Sequence, residues 1–263
     1  MAVQTQKHIN PSAAGSNRAA SSLRQVLQQT KYELLLTSRR GENVLVTLII
    51  PVMLLVFFAS LNIVPGVKGS AVNFLLPGVL AVAIIAAGMV NLGIATAYER
   101  YYGVLKRLGS SPLSRGGLIV AKVISILALE LVQVILLVGV AVLLYGWHPL
   151  GSLPLALLFI ILGTITFSAL GLAMAGALRA ELTLAGANGL FLLFLLIGGG
   201  ILPLDHLPAP IAAISRFLPA TALTQALQST LTDSNAFPGF QLLILAIWAV
   251  VILLVAIRTF KWE

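Results

Sequence analysis

Residues 98–117 read YERYYGVLKRLGSSPLSRGG and residues 118–145 read LIVAKVISILALELVQVILLVGVAVLLY. The first run carries Arg100, Lys106, Arg107 and Arg115. The second is apolar for longer than the about 20 helical residues that a bilayer core requires. Outward from this pair the alternation repeats. Apolar blocks at 44–64, 72–97, 153–178, 184–202 and 240–258 join 118–145 as candidate spans. Of the 16 Lys and Arg, all but Lys68 and Arg216 fall in the N-terminal tail, in 98–122, beside Arg179 or in the C-terminal tail. Basic loops stay on the cytoplasmic side, so these regions and both termini are expected in the cytosol. The pattern predicts an all-α membrane protein with six transmembrane helices.

Composition agrees. Hydrophobic residues make up 59% of the chain and charged residues 9%, against about 25% charged in soluble domains. A net charge of +8 would suit nucleic acid, but here it follows the topology and suits anionic headgroups, so no nucleic-acid partner is expected. The absence of cysteine excludes disulfides and thiolate metal sites. No apolar block follows the polar start closely enough for a cleaved signal, so the first span is expected to direct insertion.

Four segments organise the chain. Residues 1–22 are polar and unpatterned, which predicts a disordered tail. Residues 23–43 place Leu23, Val26, Leu27, Leu34 and Leu35 near helical spacing, as expected of an amphipathic helix lying in the membrane interface. Residues 44–258 hold the six spans, and 259–263 form a short cytosolic tail. Pro51 should kink the first span. Between spans 2 and 3, residues 99–108 have helical composition and Gly109-Ser-Ser-Pro112 stops them. That predicts a short helix across the cytosolic end of the bundle. Small residues in the fourth span, Gly163, Ser168, Gly171 and Gly176 among them, allow close helix approach. After Gly198-Gly199-Gly200, the pieces 210–218 and 220–231 are too short to cross a bilayer. With Pro203, Pro208 and Pro219 they predict a re-entrant helical hairpin on the outer side.

Chemistry-bearing residues are sparse. Glu130 lies near the middle of the third span with Gln133 on roughly the same face. An intramembrane carboxylate is either interhelical glue or part of a substrate or proton path, and both readings stand. The second would make the chain an ion-coupled secondary transporter. There is no phosphate-binding glycine loop, and His8, His148 and His206 are scattered, so no metal site and no catalytic residue is expected.

Three features together resemble the membrane subunit of type-2 ABC transporters. The first is the amphipathic segment that runs into Asn43 and the Pro51 span. The second is Glu99-Arg100-Tyr-Tyr-Gly103-Val-Leu105, followed by Leu108, Ser111-Pro112-Leu113-Ser114-Arg115 and Lys122. It is similar to the family's Glu-Arg…Gly-Thr-Leu…Pro-Leu-Ser loop, with Val104 where Thr is commoner. The third is Gly199…Leu202-Pro203-Leu204…Leu207-Pro208, then Phe217-Leu-Pro219. The resemblance implies a non-catalytic permease subunit of an ATP-driven exporter in a bacterial plasma membrane. Two permease subunits, identical or sister chains, would form the pathway in membrane lipid. Two copies of a separate ABC ATPase, carrying ATP and Mg, would dock beneath. It implies coupling residues at Glu99, Arg100, Gly103, Leu105, Arg107 and Leu108, and a lipophilic or amphipathic substrate such as a drug, lipid or lipid-linked glycan.

Overall fold

The computed structural model of the chain describes residues 22–39, 41–61, 71–110, 113–201, 203–233 and 237–260. Residues 1–21 of the expected tail, the loop with Lys68, Ser111, Pro112, Leu202 and the last three residues lie outside them. Among the described residues every regular element is helical: α1 (Ser22–Arg39), α2 (Gly41–Leu61), α3 (Ala71–Ile85), a π-helical turn (Ala86–Asn91), α4 (Leu92–Tyr101), α5 (Val104–Gly109), α6 (Arg115–Tyr145), α7 (Leu153–Ala177), α8 (Ala180–Ile197), a 3-10 turn (Leu204–His206), α9 (Ala209–Ser215), α10 (Pro219–Thr232) and α11 (Gly239–Thr259). Among the described residues, five stretches are long and apolar enough to cross a membrane: Ala71–Tyr101, Arg115–Tyr145, Leu153–Ala177, Ala180–Ile197 and Gly239–Thr259. The chain is a multi-pass membrane protein. The first apolar block forms α2, in which Thr47–Leu61 is a shorter apolar helix.

The continuous stretch Ala71–Tyr101 is the core of the bundle. Its most apolar window is 83% buried, against 22% for those of α8 and α11, which face outward. Helix α7 packs on the π turn, α4, α10 and α11, and its small residues allow this. A Cβ added at Gly171 would lie 2.7 Å from Met89 O, and one at Gly176 would lie 2.9 Å from Thr259 O.

Two expected elements are redrawn. Helix α8 ends at Ile197 rather than at 202, because Gly198–Gly200 turns away with Gly199 in the left-handed region (φ 75°). The bend brings Gly200 against α3, where a Cβ on Gly78 would sit 1.9 Å from Gly200 O. The helix expected over 99–108 is two pieces. Helix α4 runs on to Tyr101, Gly103 reverses the backbone (φ 71°), and α5 begins at Val104. Past the glycine bend, α10 is no surface helix: Ala222, Leu223, Ala226 and Leu227 are buried in the main apolar core, and α10 packs on α3, α7 and α11. A break in helical backbone at membrane depth, such as the one at Gly198–Gly200, must be covered by protein in this way.

Candidate functional site

On α1, Val26, Thr30 and Glu33 recur at four- and three-residue spacing and so share one face, which packs on α6. The Thr30 hydroxyl lies 2.9 Å from Val26 O and 3.5 Å from Ala121 O of α6. One residue further along α6, Lys122 is 1% exposed. Its Nζ lies 3.0 Å from Glu33 Oε1 and 2.8 Å from Glu99 Oε2. Gln29 donates to Glu33 Oε1 at 2.9 Å. A buried ammonium needs compensating charge and hydrogen bonds. Lys122 takes both from two other helices, so α1, α4 and α6 are pinned at one point.

The expected coupling residues divide around this point. Glu99 is held by Lys122. Arg100 donates to Gly176 O at 2.7 Å and to Leu178 O, the carbonyls left without partners where α7 ends. Gly103 makes the bend. Leu105 is 1% exposed and Leu108 is partly buried, both against a core that includes Leu118, Leu172 and Phe260. Arg107 and Lys106 are exposed, as are the rings of Tyr101 and Tyr102. Thus α5 is rooted through its leucines and shows its cations. The chain end joins here too: Arg115 Nη1 donates to Phe260 O at 3.4 Å.

A cavity of about 560 Å³ opens beside the ion cluster, between α1, α2, α4 and α6. Glu33, Glu99 and Lys122 line one part of it. Leu36, Ile94, Ile126 and Leu129 line another, and Tyr98 and Tyr102 a third.

Deeper in the bundle, Glu130 is 1% exposed and its Oε2 accepts from the Thr164 hydroxyl of α7. It is not among the residues lining the cavity. Gln133, on the same helix, donates from Nε2 to Thr47 O at 2.8 Å. Pro51 lacks the N–H that would otherwise bond to that carbonyl, four residues earlier. Gln133 therefore fills the gap that the proline opens in α2, and Asn91 donates to Thr47 Oγ1 at 3.0 Å beside it.

At the opposite end, Pro203 precedes the 3-10 turn and Pro208 precedes α9. Pro219 opens α10, where a missing N–H is harmless. Gln228 and Thr221 of α10 reach Gly199 O at 3.3 Å and Ile197 O at 3.4 Å, so α10 supplies donors where α8 stops.

In the sequence, Lys122 and the two lining tyrosines stand only as members of the basic, family-like 98–122 region, and no site role follows from it for them, for Thr47 or for Thr164. Burial on α1 does not follow its leucines: Leu23, Leu27 and Leu35 are exposed, while Thr30 and Glu33 are buried, and a buried carboxylate requires a cation from a neighbour.

Helix bundle and site together define a membrane-transport component. The chain belongs to the ABC-2 type transporter family, whose sequence profile matches residues 24–232. It is 26% identical over 165 residues to a protein of Escherichia coli K12 named "Probable multidrug ABC transporter permease YbhS", and equally to the protein of that name from E. coli O157:H7. The matched region is 62% of this chain and 44% of each relative, so it spans less than half the length of those curated relatives.

Proposed function

We propose that this chain is the permease subunit of an ATP-driven exporter. It has six spans, with α2 as the first, and both termini in the cytosol of a bacterial plasma membrane. Two permease subunits form the pathway for a lipophilic or amphipathic compound. Two copies of a separate ATPase, holding ATP and Mg, dock at the basic end. The multidrug wording of the E. coli relatives' name supports the substrate class. The observation that carries the reading is the setting of α5. Its leucines are sunk among α6, α7 and α11, its cations face out, and the helix before it is tied through Glu99 and Lys122 to α6 and α1. A push on α5 would pass into the span stretch Ala71–Tyr101 and into α6 without slack. The paired subunits would then exchange inward-open and outward-open states as the ATPases close.

Co-purification tests this. A soluble ATPase stays bound to the wild-type chain in detergent, and Arg107→Glu with Lys106→Glu releases it while the chain remains folded. Undiminished ATPase binding to that variant refutes the docking assignment.

A further inference from the structure

We infer that the cavity between α1, α2, α4 and α6 binds a lipophilic organic monocation. Its volume of about 560 Å³ suits a drug-sized molecule, since such sites commonly measure about 300–1,000 Å³. The described charged residues lining it are two carboxylates, Glu33 and Glu99, and one ammonium, Lys122. Lys122 sits between the two acids and cannot neutralise both. The side chains of Glu33 and Glu99 are only 9% and 12% exposed, so water screens the remaining negative charge weakly. That excess favours a cation and repels an anion.

The other walls fit the body of such a molecule. Leu36, Leu92, Ile94, Ile126 and Leu129 are apolar. Tyr98 and Tyr102, which also line the cavity, stack with ring centroids 6.1 Å apart and an interplanar angle of 26°. Aromatic faces attract organic cations, and here Tyr98 is half-buried while Tyr102 is exposed. The phosphate of a zwitterionic lipid would meet the same carboxylates as its amine, so the occupant is a small monocation and not a lipid headgroup. As a loading site for cargo at the inner face, this rests on the permease reading. The binding itself does not.

Equilibrium dialysis of the purified full chain in nonionic detergent tests the binding. Tetraphenylphosphonium and tetraphenylborate share size and shape and differ in charge. The phosphonium ion binds saturably and about tenfold or more tighter than the borate. Glu99→Gln leaves Lys122 paired with Glu33 but makes the cluster neutral, and it weakens phosphonium binding about tenfold or more. Ala95→Phe puts bulk into the cavity with no change of charge and weakens it similarly. If Glu99→Gln does not fold, Tyr98→Leu replaces it with the same expectation. Borate binding as tight as phosphonium binding, or phosphonium binding unchanged in the folded variants, overturns the proposal. Displacement of the phosphonium ion by short-chain phosphatidylethanolamine overturns the assigned occupant. The assay contains neither ATPase nor nucleotide, so a failure here leaves the permease reading standing, and failed ATPase docking leaves this binding standing.

Discussion

Lys122 joins carboxylates that lie on helices distant in sequence, and its removal strands both. Breaking a buried pair in this way costs about 3–5 kcal/mol. Lys122→Met is therefore expected to lower the melting temperature of the detergent-purified protein far more than Glu33→Gln, which leaves Lys122 with Glu99 at 2.8 Å. Equal losses would mean that the cluster pins nothing. Gln133 offers a second measurement. Gln133→Leu leaves Thr47 O without the amide that replaces the missing Pro51 N–H, for a loss of about 1 kcal/mol, the usual size of an interhelical bond in a membrane protein. In a Pro51→Ala background α2 closes its own hydrogen bond, and the cost of Gln133→Leu falls toward zero. A double-mutant cycle with no coupling rejects the pairing. The polarity of Glu130 and Gln133 was legible in the sequence, since any polar residue inside an apolar block must find a partner. Which partner was not, because Thr47 and Thr164 are ordinary in their own helices and gain meaning only from what faces them.

Close approach decides how α3 and α8 meet. A Cβ at Gly78 would stand 1.9 Å from Gly200 O, a backbone atom that cannot swing aside. Gly78→Ala forces α3 from the end of α8 and should cost about 1–3 kcal/mol, read as lower yield of monodisperse protein and an earlier melt. Gly139 has nothing within 4 Å of its Cβ position, so Gly139→Ala is neutral or slightly stabilising through helix propensity. Comparable damage from both would rule out packing as the cause. The long helices were readable because apolar length and flanking charge are local properties of the chain. The division at Gly103, the π turn at Ala86–Asn91 and the burial of α10 were not. Gly103 has nothing within 4 Å of its Cβ position, and what demands it is its backbone angle, which composition does not reveal. At the π turn Asn91 donates to Thr47 Oγ1 and a Cβ on Gly88 would stand 2.9 Å from Ser168 N, contacts with other helices that local composition does not reveal. The burial of α10 follows from Gly78 admitting Gly200, a pairing across more than half the spans.

Among the described residues the flanks of the long helices are apolar in a way that only lipid or another subunit can satisfy. Met53 and Phe57 on α2, Leu192 and Leu196 on α8, and Leu243 and Val250 on α11 are all exposed. Most of the exposed basic residues among those described gather at one end. Arg24, Lys31, Arg39, Lys106, Arg107 and Arg179 are exposed on α1, on α5 and at the turn between α7 and α8. These segments meet around Lys122 and where Arg100 reaches Gly176 O. The α6–α7 connection lies at the opposite end of the bundle with the end of α10, Leu150 N bonding to Leu231 O at 3.2 Å, and its His148 is exposed. Basic loops are retained on the cytoplasmic side during insertion, so this arrangement predicts that the basic end meets ATP, and the proposed docking role of α5 depends on it. The chain contains no cysteine, so single cysteines report position against a silent background. In intact cells a membrane-impermeant maleimide should label His148→Cys and leave Arg107→Cys and Lys31→Cys untouched until the membrane is permeabilised. Labelling of Arg107→Cys in intact cells would put α5 on the side without ATP. No ATPase could then drive the bundle through it, however well its leucines are seated.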